Sequence, residues 1–489
     1  MISTVYLVYK NGVKYQEENF NPGECYPEYR FGKDNINKDG NIPYDMLRTL
    51  LYDMNLDRER YGTKDWNPLG KYIKPGDSVI VKPNLVMHIN ENKTVQENAF
   101  ECLITHASLI RAVCDYCLIA LKGTGRLMIG DAPMQGCNFD ILLEKSKLFL
   151  ITEFYSQFGL DVTIKDFRQY QSVFNHNKVI INKKYNTVKP IRIHMGEKSQ
   201  HMNSNSNGIY QVSDYDIQDT ARYHYRSIHD YDVIEDIIKA DVIINFCKPK
   251  THRLAGFTAA MKNMVGIIYN KACLPHRSAG SIEEHGDAYL HKSYLKKVSD
   301  SALTKKIRAE NCRKYLLATF YRYVYGISLV ISRKFGKDPY YIGSWYGNDT
   351  IWRTVCDLNY IVKYSDKNGN LCDDPQRVIL NFGDMLIAGE GNGPVSPEPK
   401  KLGALLASED QVAFDMVICK LMGFSADKIP LVKSIINGEA IFKKPSVILY
   451  RHNLVKEVII KKNLEDVCFG EKWRFKPHEA WKEQLKNVN

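Results

Sequence analysis

Four short polar segments carry most of the chemistry-bearing side chains in this 489-residue chain. They are Lys82-Pro83-Asn84, Gly130-Asp131-Ala132-Pro133, Lys248-Pro249-Lys250-Thr251-His252, and Gly383-Asp384 leading into Gly389-Glu390-Gly391-Asn392-Gly393-Pro394. Fixed ammonium groups and backbone amides suit a phosphate or a carboxylate. A carboxylate or an imidazole beside them can move protons. In an extended chain, residues two apart point to the same side. Lys248 and Lys250 are therefore expected to flank one anion, with His252 two residues further on. Carboxylates mixed with histidines are also compatible with a divalent metal, although no spacing here is diagnostic. The glycine-rich 389–394 segment lacks the Lys-Ser/Thr of a Walker loop and the dinucleotide fingerprint. No Gly-x-Ser-x-Gly elbow and no His-Glu-x-x-His occurs, which disfavours serine hydrolases and zinc proteases.

These segments need elements to hold them. Ser78-Val79-Ile80-Val81 is a continuous apolar run after a Pro75-Gly76-Asp77 turn, as expected for a strand buried on both faces. After Thr105-His106-Ala107-Ser108, apolar residues at 109, 110, 113, 114, 117, 118 and 121 follow helical spacing. Gly123 and Gly125 stop that helix, and Arg126 to Asp131 reads as a second strand ending on an acid. Strand, helix, strand is a βαβ unit and implies a parallel sheet. Helix 138–147, strand 161–165, strand 240–246, helix 256–265, strands 378–382 and 402–407, and helix 410–422 continue the pattern. The expected class is α/β: a mostly parallel, Rossmann-like sheet with helices on both faces and polar insertions. In such sheets ligands bind beyond the carboxyl ends of the strands, where all four polar segments fall.

Taken in order, the segments resemble the family catalogued as domain of unknown function 362. The resemblance runs from Lys82-Pro83-Asn84 through Thr105-His106, Gly130-Asp131 and the 248–252 run to Lys262-Asn263-Met264-Val265-Gly266. It continues in the 389–394 segment, Ala407-Ser408-Glu409-Asp410 and Ala413-Phe414-Asp415, so it covers roughly 77–425. Leu274-Pro275-His276-Arg277 with His285-Gly286-Asp287, and Ser344 to Thr350 with Trp352-Arg353, resemble a subgroup associated with surface-polysaccharide gene sets. The resemblance implies an intracellular α/β protein and an enzyme. Some members carry a ferredoxin-like domain with clustered cysteines; that spacing is missing here, so no iron–sulfur cluster is expected. The candidates for catalysis are Asp131, His252 and Glu390. Those for substrate binding are Lys82, Asn84, His106, Lys248, Lys250, Lys262, Asn263, Asn392 and Arg353.

Hydrophobic residues at 44% and charged residues at 25% are globular values and exclude a disordered or fibrous chain. The N-terminus does not read as a secretory signal, and 12 scattered cysteines do not make a disulfide framework, so a cytoplasmic setting is expected. The net charge of +11 is concentrated in 292–338, where twelve basic residues meet three acidic ones. Between its basic ends lies the apolar and aromatic 315–331 run, which fits a helix lying on an anionic membrane surface better than one spanning it. The expected organisation is an N-terminal arm and helix over 1–76 and an α/β core over 77–291 and 339–425. A polar insertion near 167–225, the helical insertion at 292–338 and a C-terminal extension over 426–489 complete it. The favoured function is a cytoplasmic enzyme, peripheral to the membrane through 303–338, acting on a phosphorylated or carboxylated small molecule in surface-polysaccharide biosynthesis. The alternatives are a nucleic-acid-binding protein, disfavoured because the positive charge is piled into one segment rather than along an aromatic face, and an electron-transfer or scaffold protein.

Overall fold

Runs such as Val242 to Cys247, buried along their whole length, have no polar face to offer water and so form the middle of a sheet. In the computed structural model, which describes residues 2–485, eleven strands make that sheet. They are β1 (Ile2–Tyr9), β2 (Ser78–Pro83), β3 (Arg126–Asp131), β4 (Val162–Asp166), β5 (Val242–Cys247) and β6 (Lys250–His252). The chain continues with β7 (Gly256–Thr258), β8 (Val378–Asn392), β9 (Ser396–Ser408), β10 (Ser446–Asn453) and β11 (Val458–Asn463). The order across the sheet is β11-β10-β1-β9-β8-β5-β2-β3-β4, with the short β6 and β7 attached beside β8. Strands β4, β3, β2, β5 and β8 are mutually parallel. The β8–β9 hairpin then turns the sheet antiparallel, β1 pairs antiparallel with β9, and β10 runs parallel to β1. The architecture is a large mixed, mostly parallel α/β sheet. The chain walks outward from β2 to β3 and β4, then returns to place β5 on the other side of β2. The strand order therefore reverses between β2 and β5.

Alternation along the strands feeds two cores. Val79, Val81, Leu127 and Ile129 face one layer, with helices α1 (Ile42–Asp53) and α2 (Ala107–Leu121) packed on it. Ile80, Met128 and Ile243 face the other. Four further helices are α3 (Tyr294–Asn311), α4 (Tyr315–Phe335), α5 (Thr350–Tyr364) and α6 (Gln411–Leu421). Helix α5 covers the second layer through Leu358, Ile361 and Val362. Helix α6 lies under β1 and β9 through Phe414, Val417 and Ile418. The N-terminal strand β1 lies between β9 and β10.

Two sequence expectations are corrected. The helix expected over 256–265 is instead the strand β7, which pairs with β6, then a single helical turn, Ala260–Asn263, and a 3-10 turn at Met264–Ile267. Gly256 has φ +79°, outside the helical region, which forces the strand-like start. The strand expected to end near Phe382 runs on to Asn392, across a register shift between Met385 and Ile387 that lets it bend along its partner β9.

Candidate functional site

The site is built where β2, β3 and β5 end. Lys82 near the end of β2 and Asp131 at the end of β3 are buried and paired, Nζ to Oδ1, at 2.8 Å. Asp131 Oδ2 accepts the Leu85 amide at 2.6 Å, and Oδ1 also accepts that of Ala132 at 3.0 Å. With those acceptors engaged, Asp131 anchors the two loops rather than standing free. Gly266 lies against this pair: a Cβ there would meet Asp131 Oδ1 at 1.9 Å, so only glycine lets the chain pass. A relay of amides crosses the strands beside it. Asn245 donates to Asn381 at 2.9 Å, Asn263 to Asn245 at 2.8 Å, and Asn84 to Asn263 at 2.9 Å. Asn84 Oδ1 in turn accepts Lys250 Nζ at 2.8 Å, and the Leu103 carbonyl takes a second Lys250 proton. The relay thereby fixes the position of Lys250.

These loops enclose a cleft of about 170 Å³ lined by Asn84, Asp131, Lys250, His252, Arg253, Lys262, Asn263, Lys271 and His276, with Asp214 and apolar residues completing it. Its cations outnumber the carboxylates of Asp131 and Asp214 on its wall. Among the described residues, Lys250, Lys262 and Lys271 have no carboxylate within ion-pairing distance. Lys262 Nζ has no hydrogen-bond partner among the described residues, and Arg253 Nε is sealed from solvent without one. Burial pushes Lys250 and Lys262 down to about 7 and Lys271 down to about 8, and each also feels cationic neighbours. The histidines are neutral. His252 Nδ1 accepts the amides of Leu254 at 3.0 Å and Ala255 at 3.2 Å, which leaves its proton on Nε2. His276 Nδ1 lies 2.7 Å from the Leu274 carbonyl and must donate, which leaves a bare lone pair on Nε2. Burial, then Lys262, pushes His276 down to about 3. The cleft thus presents cations, one N–H donor and one imidazole acceptor.

Of the residues singled out from sequence, Asn84, Asp131, Lys250, His252, Lys262 and Asn263 line this cleft, and Lys82 stands behind Asp131. The others lie elsewhere. Lys248 does not flank an anion with Lys250. The two lysines flank Pro249 between β5 and β6, and Lys248 Nζ points away to Asp384 at 2.9 Å and Tyr15 Oη at 2.9 Å. His106 caps α2, stacks on Tyr15 at 4.0 Å and donates its backbone N–H to Asp384 at 3.0 Å. Glu390 accepts the Lys476 amide at 3.0 Å and faces Lys400 at 3.5 Å. Asn392 is exposed near the hairpin end and accepts the Glu479 amide at 3.2 Å. Arg353 on α5 pairs with Asp349 at 2.9 Å. Arg253 and Lys271 were not singled out. Arg253 directly follows the 248–252 run, which was a usable signal; Lys271 follows only Tyr269-Asn270 and gives none.

Two other features were weighed as sites. A larger groove of about 820 Å³ is lined by Met416, Phe424, Val432 and Leu464, but its Lys420 is bound to the carbonyls of Leu464 and Glu465. His201, His224 and His229 form a buried cluster, yet among the described residues no group of three or more His, Cys, Asp or Glu is placed to hold a metal ion. The fold and cleft therefore define an α/β chain with a compact cationic pocket at its strand ends. Residues 200–420 match the family model described as Domain of unknown function (DUF362), which supports the family resemblance. That stretch holds Lys250, His252, Lys262 and Asn263, and the fold joins them to Asn84 and Asp131 outside it. No curated protein and no solved structure matches the chain.

Proposed function

We propose that the cleft binds the phosphate or carboxylate of a small molecule and that the chain is a cytoplasmic enzyme acting on it. A phosphorylated sugar precursor of a surface polysaccharide is the favoured substrate class. The observation that carries this reading is the set of basic groups, Lys250, Lys262, Lys271 and Arg253, gathered around one cleft with no ion-paired carboxylate among the described residues. Cations buried without counter-charge cost stability, so a fold that keeps several together has a use for an anion there. One charge pair about 4 Å apart gains about 4 kcal/mol at an effective dielectric of about 20. A volume of about 170 Å³ suits the charged end of a small molecule rather than a polymer backbone. Lysines poised near neutrality serve as proton donors or acceptors, and His276 Nε2 offers an acceptor for a substrate hydroxyl. We also read the parallel half of the sheet as Rossmann-like. Its order, three strands outward from β2 and two on the other side, supports that reading, and the cleft lies at the reversal point where such sheets bind ligands.

Titration calorimetry with inorganic phosphate tests the anion site. Saturable binding that falls at least about tenfold in Lys262→Met and Lys250→Met is expected, the loss of one close charge pair. Binding that is absent in the wild type, or undiminished in both variants, overturns it.

A further inference from the structure

Helix α4 wears its large apolar residues on the wrong side for a helix in water. Leu316, Phe320, Tyr323, Ile327 and Val330 recur every three or four residues and so form one stripe. All five are exposed, Leu316 at 91% and Phe320 at 58%, and Phe335, the last residue of the helix, is exposed at 76%. The buried residues of α4 are mostly small: Ala318, Ser328 and Ser332 beside Leu329. Ala318 packs on Val179 and Ala309, Leu329 on Ala288, Tyr289 and Ile342, and Ser328 meets Ser299 of α3 at 2.6 Å. Each inward contact is thin, and the bulky side chains are left facing outward.

The border of the stripe has one sign. Lys305, Arg313, Lys314, Lys334 and Lys337 are exposed, and none pairs with a carboxylate among the described residues. All three acids of 292–338 are held inward. Asp300 accepts Tyr289 Oη at 2.6 Å, Glu310 pairs with Lys306 at 2.8 Å, and Asp338 pairs with Lys296 at 2.6 Å. No helix among the described residues is long and apolar enough to cross a membrane, and α4 carries Arg322 in its middle.

We propose that the outer face of α4 docks on an anionic phospholipid surface, the helix axis lying in the plane of the headgroups. Apolar side chains at helical spacing enter the acyl boundary, Tyr323 suits the headgroup level, and the unpaired lysines and arginines meet lipid phosphates. The competing occupant is a second copy, since the three-and-four spacing is also that of a coiled-coil seam. Pairing two such helices would bring one cationic border against another, whereas an anionic bilayer supplies the missing charge. The docking stands on this helix alone and does not require the cleft to hold an anion.

Co-sedimentation of the full chain with phosphatidylcholine vesicles, with and without phosphatidylserine, tests it. Binding is expected only with phosphatidylserine and is expected to weaken with salt, as screening of exposed charges requires. Phe320→Glu/Ile327→Glu, both fully outward substitutions, should cut that binding at least about tenfold, as loss of buried apolar area and an added like charge to the lipid predict. Circular dichroism and the phosphate titration of the same variant show that the fold and the cleft persist. Three outcomes overturn the proposal: no phosphatidylserine-dependent binding, undiminished binding by the variant, or a wild-type dimer that the variant converts to a monomer.

Discussion

At the scale of single residues, the cleft shows how much a side chain's partners decide. Lys250, 1% exposed, is about as buried as Lys82, and Lys262, 9% exposed, nearly so, but among the described residues only Lys82 of the three pairs with a carboxylate. Replacing Lys262 by methionine, which fills a similar volume without the charge, should therefore stabilise the unliganded protein by about 1 kcal/mol or more while removing phosphate affinity. Urea unfolding of the two proteins without phosphate checks it; a less stable variant counts against an uncompensated ammonium. Because both lysines sit near neutrality, an arriving anion must also pull protons onto them. The heat of phosphate binding at pH 7.5 should then change with the ionisation enthalpy of the buffer, and buffer-independent heat means no proton is taken up. These residues were legible because lysine, asparagine, aspartate and histidine fall at the ends of apolar runs. Their protonation was not, because it depends on which carboxylates the fold brings near. Asp131 read as a catalytic acid, but its acceptors are engaged by Lys82, Leu85 and Ala132.

At the scale of elements, the junction between β5 and β6 separates two lysines that look alike in sequence. Lys248 belongs to a buried clip in which Tyr15 donates to Asp384 at 2.5 Å, His106 donates its amide to the same carboxylate at 3.0 Å, and the ammonium closes the set. The clip ties the N-terminal segment, the start of α2 and β8 together. Lys248→Ala should cost about 3–5 kcal/mol by leaving Asp384 charged and unpaired, whereas Lys250→Met removes a charge that has no carboxylate partner but strands the Asn84 and Leu103 oxygens, so its cost should be smaller, at most about 1–3 kcal/mol. A clearly larger loss at Lys248 than two residues further on, read by thermal or urea unfolding, separates an anchoring lysine from a ligand-facing one; equal losses would falsify the distinction. The short helix Ala260–Asn263 gives a second case. Sequence periodicity made it too long because its start is fixed from outside: Asp415 on α6 accepts the amides of Ala260 at 2.8 Å and Met261 at 3.3 Å. Burial raises that carboxyl to about 8. Asp415→Asn keeps a neutral acceptor and should be mild, while Asp415→Ala strands two buried amides at about 1–3 kcal/mol each. No local pattern announces such a cap, since the two partners lie 155 positions apart in the chain.

At the scale of the whole molecule, the pH dependence of stability sums many buried groups, and the sum hides the lysines. Burial pushes the Cys117 thiol well above its ordinary value near 9 and Cys137 up to about 12, so they subtract stability as pH rises above 9. Asp357 and Asp415, raised by burial to about 7 and about 8, subtract stability between about pH 4 and those values. The lysines act in the other direction. Their folded pKa lies below the ordinary 10.5, so the unfolded chain binds more protons between about pH 7 and 10.5, and their cost is relieved as pH rises through that window. Below about pH 7 both states are protonated and the cost is complete. A comparison of wild type with Lys262→Met cancels every group they share and leaves this one. The stability advantage of the variant should be largest at pH 6.5 to 7 and shrink toward pH 10 by up to about 1.4 kcal/mol per pH unit, the value of one proton. Phosphate should compress the whole difference, because a bound anion holds the wild-type ammonium charged at no cost while the variant gains nothing from it. Chemical unfolding of both proteins from pH 6.5 to 10, with and without phosphate, measures it. An advantage that stays constant with pH would mean that Lys262 keeps its ordinary pKa, and the cleft would then be a solvated surface rather than a charged site awaiting its anion.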